Sequence, residues 1–474
     1  MRTHLVASVG LCLSLGCGPP SAPLENPLPS PVELTDLNPD PRVVEVRLAA
    51  SPSTTEYLTG KPTDIWAFRD ASVSGSAGSV PGPLLRARVG DTVIVHFTNE
   101  LPEATTIHWH GLRLPNAADG SPSSQAKIEP GGTYDYTFTV RDPGSFWYHP
   151  HVHGDTQIER GLYAPFIVEG GTEVDVAADR YLVLDDVKLA ADGKLSTQTD
   201  NLDVMLGRQG NVLLVNGRKL PSLEVAAGSR ERWRLVNSAN GRYFKLSLPG
   251  ARLLVIAWDG GLLPEPYEVE ALLIAPGERY ELLVTFDGKP GDRREFQTSH
   301  YDRGHNVPDP GVKSLMNVVL GPARKSATLP LPTVWRDLPV LATVTPTTPV
   351  RRFVLRELET PAGVVFSIND EVWPFNTAVM VQQGAVEIWE VRNEAEMDHP
   401  FHLHGMFFEV LDVNGVPETR RGWKDTVNVP QARGTTPGIV RFAVRYEGLG
   451  MWMFHCHILE HAEGGMMGDL MVMP

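Results

Sequence analysis

The chain has 474 residues, of which 42% are hydrophobic and 21% are charged, and its formal net charge at pH 7 is −15. This composition is ordinary for a globular protein and leaves room for several domains of about 100–200 residues each. The acidic balance excludes the basic surface typical of nucleic-acid-binding proteins, and beyond the N-terminal segment no apolar run is long enough to span a bilayer.

The first predicted element is an export signal over residues 1–17. A short basic start and an apolar run end at Leu15-Gly16-Cys17, which is similar to the cleavage site of bacterial lipoproteins. Cys17 would then carry a lipid anchor; the alternative is a plain secretory peptide that is cleaved nearby. Residues 18–41 are rich in Pro and Ser and predict a flexible linker. We therefore expect an exported protein, either a periplasmic or cell-envelope lipoprotein or a secreted protein.

The rest of the chain has the pattern of β-structure. Short alternating or β-branched runs are broken by Gly, Pro, Asn and Asp, and no long amphipathic helix is visible in the sequence. Such spacing favours β-sandwiches. The clearest predicted strands are 92–97, 134–140, 280–286, 386–391 and 439–446.

A loose internal repeat divides the chain into three parts. In each copy a turn precedes an alternating strand that ends at an asparagine, namely Asn99, Asn237 or Asn393. Copies roughly 140–160 residues apart predict three similar domains. Their predicted bounds are 42–170, 171–322 and 351–474, with a Pro-rich linker over 323–350.

Pairs of histidines separated by one residue occur in the first and third predicted domains. In a strand, residues i and i+2 face the same side, so each pair would aim two imidazole rings at one face. A single pair is weak evidence, because two surface histidines, or one core and one solvated histidine, explain it equally well. The pairs lie at 108–110, 149–151, 402–404 and 455–457.

Three other histidines lie in segments that predict other roles. If the strand after 149–151 continues, His153 shares its face, and we expect it to hydrogen-bond a ligand rather than to be one. His300 and His305, in the middle domain, lie in a loop-like segment; a solvated loop is the main interpretation and a metal role the alternative.

The last histidine pair encloses Cys456. If 452–457 is a strand, Cys456 faces one side while His455 and His457 face the other. His461 and Met466 follow the cysteine by five and ten residues. A thiolate, an imidazole and a soft thioether are the ligands of a blue-copper site. The alternative is a buried inert cysteine. If Cys17 is lipidated, Cys456 is the only thiol left, so no intramolecular disulfide can form.

The number of clustered histidines decides between these interpretations. Chance placement explains one pair but not four pairs with their extensions, and imidazoles beside a lone cysteine favour copper over zinc. Eleven of the 15 histidines belong to the clusters: His108, His110, His149, His151, His153, His399, His402, His404, His455, His457 and His461.

Four sequence motifs make the chain resemble the multicopper oxidases. They are HWHG at 108–111, WYHPH at 147–151, HPFHLHG at 399–405 and HCHILEHAEGGMM at 455–467, in the order of that family. The resemblance implies an all-β fold of three cupredoxin-like Greek-key β-sandwich domains. It also implies four copper ions: one type 1, one type 2 and two type 3.

The resemblance also implies a role for each ligand. The type 1 copper would be held by His399, Cys456, His461 and Met466. The type 2 copper would be held by His108 and His402. The type 3 pair would be held by His110, His149, His151, His404, His455 and His457.

The function implied is a laccase-like oxidase, a three-domain bacterial enzyme. It would couple one-electron oxidation of phenolic or aromatic donors to reduction of O2 to water. The alternatives are a metallo-oxidase for Cu(I), Fe(II) or Mn(II) in copper tolerance and, from another class, a non-catalytic copper-binding protein. Its partners would be a small-molecule or metal-ion donor and O2, with no nucleic acid, and we expect a monomer that meets a membrane only through Cys17.

Proton supply and donor binding give three further expectations. Asp119 is similar in position to the acidic residue of the family beside the three inner coppers, and an Asp-Gly turn is the alternative. Ala462 stands where many bacterial relatives carry Glu, which leaves the outer proton path open. Met397 is either a cuprous-ion docking point or core filling. No Met-rich insertion is visible, so we expect the edge of His461 to be open to organic donors.

Overall fold

A computed structural model describes residues 24–474 apart from 197–198, 306, 308, 324–329 and 362. The predicted signal and Cys17 therefore lie outside the described residues. The prediction of an all-β fold is confirmed: among the described residues thirty strands form six sheets, and each of the three α-helices has only five or six residues. Among the described residues, no helix is long and apolar enough to cross a membrane.

The first unit contains two four-stranded sheets, with strand orders β2-β1-β4-β6 and β3-β8-β7-β5. Strand β4 alternates half-buried and buried residues, as its sequence predicts, because one face packs on the core. The elements are β1 Val43–Leu58, β2 Lys61–Asp70, β3 Leu85–Arg88, β4 Thr92–Asn99, β5 His108–His110, β6 Thr133–Thr139, β7 Gly144–His149, α1 Gly154–Glu159 and β8 Ala164–Glu169.

The second unit has a six-stranded and a five-stranded sheet that enclose their own apolar core. The strand orders are β10-β9-β12-β17-β14-β15 and β11-β19-β18-β13-β16. The elements are β9 Asp179–Val187, α2 Asn201–Leu206, β10 Val212–Val215, β11 Ser222–Ala226, β12 Arg230–Asn237, β13 Phe244–Ser247, β14 Arg252–Trp258, β15 Gly261–Val269, β16 Leu272–Ile274, β17 Arg279–Thr285, β18 Arg293–Ser299 and β19 Lys313–Gly321.

The third unit repeats this arrangement with strand orders β21-β20-β23-β28-β25-β26 and β22-β30-β29-β24-β27. Its apolar core is continuous with that of the first unit, so the two units pack directly together. The elements are β20 Val350–Thr360, β21 Gly363–Ile368, β22 Val379–Gln382, β23 Val386–Asn393, β24 His399–Leu403, β25 Phe408–Val413, β26 Val416–Pro417, β27 Thr426–Val429, β28 Gly438–Arg445, β29 Gly450–Cys456, α3 Leu459–Glu463 and β30 Met467–Met473.

The three repeated asparagines perform the same task in each unit. Asn99, Asn237 and Asn393 are fully buried at the ends of β4, β12 and β23. Each side-chain oxygen accepts from the backbone N–H two residues later, and each amide nitrogen donates to two or three backbone carbonyls. Burial requires these polar atoms to be paired, so the asparagine closes the loop after its strand.

Part of the predicted flexible linker is attached to the body of the protein. The N–H of Leu28 donates to the carbonyl of Ser222 at 2.9 Å, and that of Leu34 donates to the carbonyl of Leu84 at 2.9 Å. The Leu34 side chain is buried. The expectation of a free tether is therefore wrong for this stretch, because backbone pairing and apolar burial outweigh the composition that favours disorder.

Candidate metal centre

The four histidine pairs meet where the first and third units pack together. Strand β5 pairs antiparallel with β7 so that His108 lies opposite His149, and β24 pairs with β29 so that His402 lies opposite His455. Rings from the two units stack across this junction. The centroids of His108 and His404 are 3.8 Å apart, and those of His110 and His402 are 3.9 Å apart. Neither unit alone could therefore form the site.

Three groups of buried or half-buried histidines result from this packing. In each group the candidate ligand atoms lie within 4.8 Å of one another, close enough to share one metal ion. The Nε2 atoms of His404 and His455 are 3.1 Å apart, and those of His151 and His455 are 3.4 Å apart. The groups are His108, His110 and His402; His110, His149 and His457; and His151, His404 and His455.

A fourth group contains the cysteine. The Sγ of Cys456 lies 3.4 Å from Nδ1 of His399 and 3.8 Å from Nδ1 of His461, and all three residues are buried. Met466, also fully buried, accepts the N–H of Cys456 with its backbone carbonyl at 3.0 Å. The predicted type 1 residues are thus brought together. His455 and His457 flank Cys456 in the chain, and each of them belongs to one of the three histidine groups.

The ring nitrogens fit metal ligation. The Nε2 atoms of His108 and His402 are buried and have no hydrogen-bond partner among the described residues. The Nδ1 atoms of His108 and His402 face the backbone carbonyls of Asp119 and Asp425 at 2.8 and 2.9 Å, which fixes the tautomer with a free Nε2. A buried nitrogen acceptor without a donor is costly unless a cation occupies the site.

Burial also keeps the imidazoles in the neutral state that binds metal. It lowers the pKa of His399 to about 3, so the imidazole is neutral. Burial raises the pKa of the Cys456 thiol well above its ordinary range. A thiol in this position ionises when a metal ion binds its sulfur. The same lowering of pKa by burial applies to His110, His149, His151, His402, His404, His455, His457 and His461.

Asp119 lies beside the histidine groups, where the sequence placed it. Its carboxylate accepts a hydrogen bond from Nδ1 of His404 at 3.0 Å and lies 3.4 Å from Nδ1 of His108. Burial opposes ionisation of Asp119, but electrostatic interactions and hydrogen bonds with His404 and His108 favour the ionised form and hold its pKa well below the usual range. Asp119 therefore contacts two candidate ligands from different units.

Asp425 has a matching position that sequence reasoning missed. Its backbone carbonyl accepts from His402, and its Oδ1 lies 3.4 Å from Nε2 of His110. The sequence offers no signal for this role, since Asp425 follows none of the histidine spacings. Its charged partner, Arg279, is 146 residues away in the chain.

His153 does not have its predicted role. Strand β7 ends at His149, and His153 adopts a left-handed conformation before α1, with φ of 46°. Its side chain is 59% exposed and lies 3.7 Å from Glu103. The prediction that it shares a face with the ligands is wrong, because the Pro-containing chain turns into a helix instead of continuing the strand.

Met397 takes the second of its two predicted roles, core filling, while the edge of His461 differs from expectation. The Met397 side chain is fully buried in the shared core, so it is not a docking point for an ion from solvent. His461 is fully buried, and its Nε2 donates to the carbonyl of Met205 on α2 at 3.1 Å. The expectation of an edge open to organic molecules is wrong, since this short helix covers it without a Met-rich insertion.

A cavity of about 380 Å³ opens beside this helix. Met205, which covers His461, forms part of its wall. His305 is only 17% exposed and its Nε2 is paired with Glu357 at 3.0 Å, so the expectation of a solvated loop histidine is wrong for this residue. The other lining residues are Arg356, Glu359, Val364, Glu394, Ala395 and Glu396.

The carboxylates after Cys456 point away from the histidine groups. Glu460 accepts from the side chain of Asn240 at 2.8 Å, and Glu463 accepts from the N–H of Gly154 at 2.7 Å. Burial raises the pKa of Glu463. Glu463 therefore lies at the contact between α3 and α1, and Ala462 offers no proton carrier of its own.

Comparison with known proteins identifies the family. Family models described as multicopper oxidase match residues 62–173, 180–301 and 339–474. The multicopper oxidase MmcO of Mycobacterium tuberculosis is 31% identical over 433 residues, which cover 82% of this chain and 81% of that protein. The cell division protein FtsP of Escherichia coli is 31% identical over 500 residues, covering 100% of this chain and 99% of that protein.

A solved structure agrees with these matches. A Campylobacter jejuni multicopper oxidase, described as a metallo-oxidase, superimposes with a TM-score of 0.82 at 27% identity, covering 95% of this chain and 96% of that one. The two-sheet units are thus cupredoxin-like, as the sequence predicts. With its motifs, its fold and these similarities in agreement, the chain belongs to the multicopper oxidase family and is an oxidoreductase.

Proposed function

We propose that this protein couples the one-electron oxidation of a reducing donor to the four-electron reduction of O2 to water, with copper ions of type 1, type 2 and type 3. The observation that supports this most is the position of Cys456 in one ligand group, directly between His455 and His457 in two others. When bound, the copper ions would store the electrons and carry out the chemistry of O2. We propose the ligand assignment that the family resemblance implies for each residue.

The protein supplies a rigid connection between its ligand groups. Strand β29 holds Cys456 and His455 through its pairing with β24, and the chain continues directly into His457. A path of a few covalent bonds thus joins the group that contains Cys456, which would receive electrons from the donor, to the histidine groups. Neutral buried imidazoles and water exclusion keep the ligand geometry fixed on both sides.

We propose that Asp119 moves protons to the reduced oxygen. Its carboxylate lies within hydrogen-bond distance of His404, and its described ion-pair contacts are with histidines. A carboxylate without a tightly paired Arg or Lys can accept and return a proton. This role rests on the position and the contacts of Asp119, and the substitution Asp119→Asn tests it.

The donor that the site favours is a small reducing cation such as Cu(I) or Fe(II). His461 is covered by Met205, so a bulky donor cannot touch the ring directly. The adjoining cavity carries more carboxylates than cationic groups, and the Glu396 side chain is 84% exposed. A concave site lined by one sign of charge concentrates ions of the opposite sign.

Laccase-like oxidation of phenols is the second candidate. The cavity volume of about 380 Å³ lies within the range of small-molecule pockets, so an aromatic donor could occupy it beside Met205. Glu396→Gln separates the two candidates in steady-state kinetics on Cu(I), Fe(II) and a phenol. A several-fold rise in KM for the metal ions alone supports the cation. A change on the phenol alone supports the laccase reaction.

The oxidase proposal itself is tested with Cys456→Ser. Wild-type protein should hold four coppers per chain, show the intense blue absorption of a copper thiolate and consume O2 with a donor. The variant should lose the colour and the oxidase activity while it keeps the other coppers. A wild type that binds no copper would instead support a structural role like that indicated by the name of FtsP.

We also propose that the protein is exported and acts as a monomer, tethered to a membrane through Cys17. Support comes from the sequence of residues 1–17, which resembles a lipoprotein signal. A fatty-acid probe should label the wild type in cells but not Cys17→Ala. Equal labelling of both proteins, or of neither, would contradict the lipid anchor.

A further inference from the structure

The middle unit supplies none of the candidate ligands among the described residues, yet it reaches the histidine groups through Arg279. This fully buried side chain begins β17 and forms two parallel hydrogen bonds to Asp425 of the third unit. The distances are 2.6 Å from Nη1 to Oδ1 and 2.5 Å from Nη2 to Oδ2. Such a two-pronged pair fixes the carboxylate in both position and orientation.

Asp425 in turn contacts one histidine of its own unit and one of the first unit. Its carbonyl accepts from Nδ1 of His402 at 2.9 Å, and its Oδ1 lies 3.4 Å from Nε2 of His110. The opposite nitrogen of His110, Nδ1, faces His149 at 3.4 Å. Asp425 thus sits on the side of each ring away from its candidate metal position, which leaves Nε2 of His402 and Nδ1 of His110 free to bind.

We propose that Arg279 and Asp425 form a positioning unit that sets the ring orientation and tautomer of His402 and His110. Through this unit the middle domain controls how tightly the type 2 copper is held. The inference rests on the proposed copper assignment. Partners on the far side of a ligating imidazole fix its orientation and raise its basicity, and their loss weakens metal binding.

Neighbouring residues pack closely around the ion pair of Arg279 and Asp425. The N–H of Arg279 donates to Asp259 at 2.8 Å, and Asp259 also pairs with Lys424 at 3.1 Å. Gly111, directly after His110, lies so close that a Cβ there would overlap Nη2 of Arg279. The middle unit makes a second close approach at Gly277, where a Cβ would lie 2.8 Å from the ring of His457.

The test is Arg279→Met, a change that keeps a long apolar stem but removes the guanidinium. We expect type 2 copper affinity to fall by about 10–100-fold while the type 1 copper is retained. Copper per chain is measured after dialysis against graded chelator, with the blue absorption reporting type 1. The type 2 signal in electron paramagnetic resonance should shift in its hyperfine splitting or disappear, a readout that requires no donor.

Arg234→Met is the matched control. Arg234 is also a buried arginine of the middle unit at the contact with the first unit. It pairs with Glu281 at 2.9 Å and Asp179 at 2.7 Å, and it donates to Ser145 at 3.1 Å. None of these partners is a candidate ligand. This control variant should lose stability but keep full type 2 copper with an unchanged spectrum.

Two results would overturn the proposal: a wild-type copper content and type 2 spectrum in Arg279→Met, or an equal loss of type 2 copper in Arg279→Met and Arg234→Met. If Arg279→Met does not fold, Asp425→Asn, which keeps the size of the side chain, takes its place with the same expected loss. A wild type without any type 2 copper would instead refute the proposed function, since the failure would then precede any substitution.

Discussion

Asp119 and Asp425 contact the histidine groups through the same kinds of atom, but their carboxylates differ in their other partners. Each gives its backbone carbonyl to Nδ1 of a candidate type 2 ligand, His108 or His402. Each also brings its carboxylate within 3.4 Å of two histidines. One comes from a loop of the first unit and the other from the start of β27 in the third.

The two carboxylates differ in what faces their second side. Asp425 is held by the two hydrogen bonds of Arg279, whereas the ion-pair contacts described for Asp119 are with histidines. The pKa of each carboxyl is held well below its usual range, so both are ionised. What differs is the partner: a guanidinium fixes Asp425, whereas Asp119 faces imidazoles, which is why we propose proton transfer for Asp119 alone.

The largest expected effect is on the rate of O2 reduction in Asp119→Asn. Loss of a positioned acid–base group typically slows proton transfer by about 10²–10⁴-fold. We expect reoxidation by O2 in stopped-flow experiments to slow to that degree, with copper content and reduction of the blue site by donor nearly unchanged. An unaltered reoxidation rate would exclude Asp119 from this role.

The next effect is on the stability of the copper-free protein in Arg279→Met. Removal of one partner of a buried ion pair leaves Asp425 charged and unpaired, which costs about 3–5 kcal/mol. Asp119→Asn removes hydrogen bonds to a charged group and should cost less, about 1.5–3 kcal/mol. Urea unfolding followed by fluorescence measures both. A larger loss in Asp119→Asn would mean that Asp119, not Asp425, is the structural carboxylate.

A smaller effect distinguishes two glycines: Gly120, which follows Asp119 in the chain, and Gly111, which lies next to Asp425 in space. Gly120 has φ of 78°, and a Cβ there would overlap the backbone carbonyl of Ile107. Gly111 has φ of 88°, and its Cβ would meet the ends of the Arg279 and Asp425 side chains, which yield more easily than a backbone carbonyl. Left-handed strain costs either alanine about 1–2 kcal/mol. We therefore expect Gly120→Ala to lower the melting temperature more than Gly111→Ala; the reverse order would contradict this rigidity argument.

The smallest effect is on acid sensitivity. Burial opposes ionisation of Asp425, but Arg279 outweighs it and holds the pKa of Asp425 well below its usual range. The stability gained from this ionised form is present above the unfolded pKa of about 3.9 and is lost as the pH falls towards the folded pKa. Between about pH 4 and about pH 2, copper-free Asp425→Asn should lose less stability than the copper-free wild type, as measured by urea unfolding. Parallel curves of stability against pH for the two proteins would exclude this linkage.

Some of the predictions could be made because local chemistry and local geometry coincide. The period of two along a strand separates Cys456 from His455 and His457 whatever surrounds them. The repeated asparagines were visible as a pattern, and in each unit the same buried hydrogen bonds explain it. Alternating runs likewise predicted the strands Thr92–Asn99, Arg279–Thr285 and Val386–Asn393 to within a few residues.

Open alternatives and errors both occurred where distant segments compete with local pattern. Met397 is flanked by acidic residues in the sequence, yet packing of the shared core buries its side chain completely. The His461 edge looked open because no long insertion is present, but α2 of the middle unit, far away in the chain, covers it. Composition cannot reveal which surface another unit will occupy.

The sequence by itself determined the types of the candidate ligands and their spacing, because these follow from side-chain chemistry and from backbone geometry over a few residues. Only the tertiary structure decided which charges surround the ligands. The partnership of Arg279 with Asp425 spans 146 residues and two units. It exists because low-dielectric packing forces buried charges to pair, and that requirement acts through space rather than along the chain.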